Sequence, residues 1–269
     1  MEQTKLERLK ENLAAMDGLA VAFSGGVDST FLAKVAHDVL GERMIAVTVQ
    51  ADWVPERETK EAEEFCRAEG ISLHKVSVEQ REVPGFTENP PDRCYLCKKA
   101  LFTRIKEVAA TQGISVVAEG SNMDDLGDYR PGLKALGELD VKSPLREAGL
   151  TKAEIRAYSK ELGLPTWQKP SFACLASRFP YGERITAEKL HMVDEAEQLL
   201  MELGFAQFRV RIHGTVARIE VKPEEFGKLL EETVRRRVTG HLKELGFTYV
   251  AMDLTGYRTG SMNETLARK

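Results

Sequence analysis

The chain has 269 residues, 42% hydrophobic and 30% charged, with a formal net charge of -4 and a pI of about 5.9. That is enough chain for one large or two modest cores, while the acidic balance argues against a polyanion such as nucleic acid as partner and no apolar run approaches the length of a membrane span. Four cysteines without an export signal fit a reducing cytoplasm, where structural disulfides do not persist.

In chain order, MEQTKLERLKENL reads as an amphipathic helix and not a secretory signal, with Leu6, Leu9, Leu13 and Met16 at helical spacing. Strands are expected at LAVAF (19–23), MIAVTV (44–49), ISLHKVSV (71–78) and ISVVAEG (114–120). Helices are expected near 28–40, 56–69, 96–112 and 151–162, with Gly41, Gly70, Gly113 and Gly163 at the junctions. Such alternation predicts an α/β fold, a parallel sheet with helices on both faces.

After about residue 185 the pattern becomes helix (186–203), two strands (206–213 and 215–221), helices (223–245) and a last strand (247–253), a smaller α+β domain. The repeated ELGF, at 202–205 and 244–247, is read as a glycine helix stop used twice. The expected organisation is thus 1–170, a connector at 171–185, and 186–269. From 186 onward there are 13 basic and 13 acidic residues, so the second domain is not basic. The stretch 163–185, rich in proline, aromatics and small residues, is the kind of long irregular segment that often carries function.

LAVAF runs directly into Ser24-Gly25-Gly26-Val27-Asp28-Ser29. Two glycines after a strand permit a tight turn and close backbone approach, and the helix that follows presents free N–H groups to an anion. No lysine precedes the hydroxyl residue, so this is not a Walker A loop, nor is it the dinucleotide fingerprint. A capped strand-helix turn is the simpler alternative.

Cys94 and Cys97, in DRCYLCKK, have a spacing shared by zinc, iron-sulfur and redox sites. Cys174 stands in the connector, and Cys66, beside Phe65 in a helical pattern, reads as a small buried hydrophobe. No histidine lies close to Cys94, Cys97 or Cys174 in sequence, although the fold could recruit His213. Arg209 and Arg211 alternate along RVRI and share one strand face, which solvent alone would explain.

The string SGGVDS resembles the pyrophosphate loop of the PP-loop ATPases, whose fold is the adenine nucleotide alpha hydrolase-like sheet. The resemblance implies ATP with Mg2+, a phosphate cradle made by Ser24, Gly25, Gly26 and Ser29, and Asp28 positioning the metal or the phosphates. With GDYRPGLKA (127–135), CLASRFPYGERIT (174–186), FRVRIH (208–213) and DLTGYRTGSMNETL (253–266), the chain is similar to the LarE family of ATP-dependent sulfur transferases.

That resemblance implies adenylation of the carboxylates of pyridinium-3,5-biscarboxylic acid mononucleotide and their conversion to thiocarboxylates, toward the nickel-pincer cofactor of lactate racemase. Cys94, Cys97 and Cys174 match the three-cysteine form of the family, in which a 4Fe-4S cluster carries the sulfur. The form with one sacrificial cysteine does not match. Arg178, Arg209, Arg211 and Glu197 correspond to the substrate-phosphate pocket, and Tyr129 and Arg130 to a nucleotide-contacting or loop-ordering pair. A homo-oligomer and a sulfur donor of unspecified kind are also implied. The competing readings are a PP-loop tRNA thiolase, which calls for a basic face, and a non-catalytic nucleotide sensor, which would bind ATP without releasing pyrophosphate.

Overall fold

The computed structural model describes residues 3–127, 131–170, 173–258 and 260–262. Tyr129 and Arg130 lie outside these. The described chain divides into two units, Met1–Val83 with Cys94–Phe172, and Pro84–Arg93 with Ala173–Lys269.

In the first unit, β1 (Leu19–Ala22), β2 (Met44–Gln50), β3 (Ser72–Ser77) and β4 (Val117–Ala118) form a parallel sheet in the order β3-β2-β1-β4. Successive residues of β1 point to opposite faces, and Leu19, Ala20 and Val21 are all fully buried, so both faces of the sheet are covered. The cover comes from α1 (Lys5–Ala14), α2 (Val27–Leu40), α3 (Glu56–Glu69), α4 (Arg93–Thr111), α5 (Gly132–Glu138), α6 (Pro144–Glu147) and α7 (Lys152–Glu161). Thr4 and Thr151 close capping boxes with Glu7 and Glu154, which sets where α1 and α7 begin. Leu9 and Leu13 of α1 enter the same core as Phe31 and Leu32 of α2.

The expected strand 114–120 shortens to two residues for two local reasons. The Ile114 N–H turns back to the carbonyl of Ala109, finishing α4, and beyond Ala118 the ladder passes to Lys142, whose N–H bonds Val117 O. Two short helices, α5 and α6, were not expected.

In the second unit, β5 (Phe208–His213) and β6 (Val216–Val221) form an antiparallel hairpin, and β7 (Tyr249–Met252) adds to β6 in parallel. Helix α8 (Ala187–Glu202) packs on β5, and α9 (Phe226–Leu230) and α10 (Glu232–Glu244) precede β7. Gly204 and Gly246 close α8 and α10 with positive φ, which accounts for the repeated ELGF. Where the sequence reading cuts the chain near residue 170, packing also assigns Pro84–Arg93 to the second unit. The backbone N–H groups of Gly182 and Ile185 donate to Asn89 and Thr87, and Asn89 Nδ2 donates to Pro180 O at 2.7 Å. Among the described residues no helix is long and apolar enough to cross a membrane.

Candidate functional site

Strand β1 lies between β2 and β4, where the connections diverge, the position at which open parallel sheets bind ligands beyond the strand ends. There the chain turns through Gly25, whose φ of +65° suits glycine, and Gly26 becomes the N-cap of α2 without a side-chain cap. The first N–H groups of a helix have no intrahelical partner and so point at whatever anion approaches. Ser29 Oγ donates to the Gly26 carbonyl at 3.2 Å, accepts the Ser24 N–H at 3.3 Å, and lies 3.1 Å from Ser24 Oγ.

Residues distant in sequence complete this loop. A Cβ on Gly25 would approach Glu58 O at 3.4 Å, and one on Gly120 would lie 3.0 Å from Ser29 N. The buried Glu119 carboxylate, which fixes the strand end beside Gly120, accepts from Ser121 N–H, Ser121 Oγ and Ser143 Oγ. Asp28 is paired with Lys152 at the start of α7 and accepts from Asn122 Nδ2 at 3.3 Å. Lys169 donates to Gly25 O at 2.9 Å while paired with Glu61. Gly120, Asn122, Lys152 and Lys169 escape the sequence reading. The one sequence signal for them is the run EGSN at the end of a strand.

The four cysteines are free and have different surroundings. Cys66 is 1% exposed and burial pushes its thiol up to about 12, so it stays protonated and inert, in line with its reading as a core residue. Cys94 and Cys97 lie in the first two turns of α4 at i and i+3, on one helix face, and both are half-buried. Cys174, also half-buried, opens a short 3₁₀ turn at Leu175–Arg178. Among the described residues no three Cys, His, Asp or Glu side chains are gathered to hold a metal ion, His213 included.

The second unit holds a buried arginine network. Arg178 and Glu197, both fully buried, form a two-point ion pair at 2.8 and 2.6 Å, and Glu197 also accepts the Val210 N–H. Burial raises the Glu197 carboxyl, but Arg178 and then Arg209 outweigh it and bring the group below its ordinary value. Arg209 and Arg211 share a face of β5, as expected, yet that face is buried and not solvated. Arg211 pairs with Glu220 at 2.9 Å and donates to Ser261 Oγ, and Arg218 reaches Glu220 and Asp253. Burial, and then repulsion from Arg178, lower Arg209 to about 10, with Tyr257 beneath its guanidinium. Arg178, Arg209, Arg211 and Arg218 together outweigh Glu197, Glu220 and Asp253, so positive charge is in excess among these side chains.

The sequence profile of the family described as NAD synthase matches residues 4–110. The uncharacterized protein slr1717 of Synechocystis sp. is 41% identical over 268 residues, with full coverage of both chains. The pyridinium-3,5-bisthiocarboxylic acid mononucleotide synthase of Lactiplantibacillus plantarum is 38% identical over 266 residues, which is 98% of this chain and 96% of that one. The argininosuccinate synthase of Natronomonas pharaonis is 34% identical over 164 residues, 55% of this chain and 39% of its own. With a glycine loop at the switch point of a parallel sheet and near-complete coverage of the mononucleotide synthase, the chain belongs to the LarE family of ATP-dependent enzymes.

Proposed function

We propose that the protein adenylates the carboxylates of pyridinium-3,5-biscarboxylic acid mononucleotide and converts them to thiocarboxylates. The observation that carries this reading is the near full-length likeness to the L. plantarum synthase, supported by the uncapped glycine turn at the start of α2. A substrate carboxylate oxygen attacks the α-phosphorus of ATP, the bond to the β-phosphate bridging oxygen breaks, and pyrophosphate leaves. A sulfide then adds to the acyl carbon and AMP departs, leaving a thiocarboxylate.

The carboxylate is already an adequate nucleophile, so the protein's contribution is placement and charge. The N–H groups of the Gly25–Gly26 turn and the α2 N-terminus, with the Ser24 and Ser29 hydroxyls, cradle pyrophosphate. Lys152 and Lys169 bring ammonium donors beside that cradle, each balanced by a carboxylate, Asp28 and Glu61. Magnesium fits here, since Asp28 already faces one cation, Lys152, and a carboxylate tolerates triphosphate beside it only across a cation. Asp28 would hold the ion, which when bound neutralises phosphate oxygens. The excess positive charge around Arg209 and Arg211, backed by the Arg178–Glu197 pair, suits the phosphate of the mononucleotide.

For the sulfur carrier, the match of Cys94, Cys97 and Cys174 to the three-cysteine form of the family favours a 4Fe-4S cluster, and lactate racemase is the enzyme whose cofactor the product would serve. Among the described residues no such side chains are gathered to hold a metal, and the two steps require only ATP, the mononucleotide and a sulfide. Anaerobic purification followed by iron and acid-labile sulfide analysis tests the cluster. Iron and sulfide that disappear in Cys174→Ala but persist in Cys66→Ala support it, and a wild-type protein without iron after reconstitution refutes it. Mass spectrometry of the mononucleotide after incubation with ATP and sulfide tests the reaction itself.

A further inference from the structure

The turn that carries Cys174 is gripped by buried guanidinium groups from three separate elements. Arg178 Nη1 donates to Ala173 O at 2.5 Å, Cys174 O at 3.0 Å and Ser177 Oγ at 2.8 Å. Arg93 Nη1 donates to Ala176 O at 2.9 Å, and Arg211 Nη1 to Ser177 O at 3.0 Å. Four carbonyls within five consecutive residues are therefore taken by arginines, each no more than 5% exposed.

Ala173 at the start of this stretch is exposed, but Ala176 is fully buried, so its carbonyl relies on Arg93 where an exposed carbonyl would bond water. Desolvating a guanidinium is costly and is tolerated where charge and donors are met by fixed partners. Arg178 has Glu197 and Arg211 has Glu220 for that purpose. Arg93 has the Asn89 side-chain oxygen at 2.5 Å and the Tyr181 ring 5.7 Å beneath it, and Asn89 is itself fixed to Pro180 O. Every partner of this clamp thus comes from the second unit, including its inserted segment Pro84–Arg93. Arg93 is also the first residue of α4 and is followed directly by Cys94.

We propose that Arg93 is a positioning residue for sulfur delivery: with Arg178 it locks the backbone of the Cys174 turn, and it does not contact the substrate. This rests on the proposed sulfur transfer and deepens it. Two amide hydrogens report the turn, Ser177 N–H on Cys174 O and Phe179 N–H on Ala176 O.

The test compares full-length wild type, Arg93→Lys and Arg93→Gln by hydrogen-deuterium exchange of peptides spanning 173–179, with β1 and β2 peptides as the folding control. Alongside it, pyrophosphate release and thiocarboxylate formation are measured against mononucleotide concentration. In Arg93→Gln, exchange in the turn is expected to rise about tenfold with β1 and β2 unchanged. Thiocarboxylate formed per pyrophosphate released falls, while the KM for the mononucleotide stays put, and Arg93→Lys restores part of both losses. If Arg93→Gln unfolds wholesale, Arg93→Lys alone decides by the same readings.

Unchanged exchange in the turn, or a KM for the mononucleotide raised tenfold or more with the turn still protected, would overturn the proposal. Should the wild type release no pyrophosphate with the mononucleotide, the proposed function fails, while the exchange measurement still decides whether Arg93 clamps the turn.

Discussion

Gly120 shows how tightly the Ser24–Ser29 loop is boxed. A methyl group there would press on Ser29 N and on the carbonyl carbon of Asp28 at 3.0 and 3.2 Å, both backbone atoms, so the loop itself must shift. Gly120→Ala is expected to weaken ATP binding about tenfold, equivalent to about 1.4 kcal/mol, with little change in thermal stability. Calorimetric titration with ATP checks this, and unaltered affinity would mean the loop does not hold the phosphates. The Arg178–Glu197 pair makes a second prediction. Arg178→Met strands a buried carboxylate and is expected to cost about 3–5 kcal/mol in urea denaturation, whereas Arg178→Met with Glu197→Leu recovers only part of that loss, because the Val210 N–H and the Cys174 turn stay without their partners. At this scale the sequence is legible where the structure is local. Gly25, Gly26 and the two serines announce themselves within six residues. Gly120, Lys152 and Lys169 become part of the loop only through contacts across roughly ninety residues or more, which no local pattern encodes.

Helices and strands follow from short-range chemistry, and most were legible for that reason. The glycine stops, the Thr–Glu capping boxes and the apolar runs of β1 and β2 are local signals that tertiary packing reinforces. The failures fall where such signals conflict: α5 and α6 lie in a stretch punctuated by Pro131, Gly132, Gly137 and Pro144, and β4 yields its ladder to Lys142. One contact between elements has a pH signature. Lys5 Nζ, followed by Thr151, holds the Glu154 carboxyl down to about 2 from its ordinary 4.5, tying α1 to the start of α7. Because the folded-state value is depressed, the stabilisation is complete above pH 4.5 and disappears as the pH falls toward 2. Both side chains are more than a third exposed, so its size is below about 1 kcal/mol. Thermal unfolding of wild type and Lys5→Met is expected to show a small gap at pH 6 that closes near pH 2. A gap independent of pH would assign the effect to packing of the Lys5 stem.

Across the whole molecule, the first unit carries the Ser24–Ser29 loop at the end of its parallel sheet, and the second unit carries buried positive charge and the Cys174 turn. The discontinuous makeup of the second unit was not legible, because Pro84–Arg93 has the look of an ordinary loop and its partners lie about ninety residues further along. The proposed reaction is activation of a carboxylate of the mononucleotide by ATP with release of pyrophosphate. Its most direct test is to incubate the protein with ATP labelled at the γ-phosphate, magnesium, sulfide and pyridinium-3,5-biscarboxylic acid mononucleotide, and to identify the labelled product. Labelled pyrophosphate that appears only with the mononucleotide, matched by AMP and thiocarboxylate in equal amounts, is the predicted result. Labelled orthophosphate with ADP, or pyrophosphate released at the same rate without the mononucleotide, would contradict it.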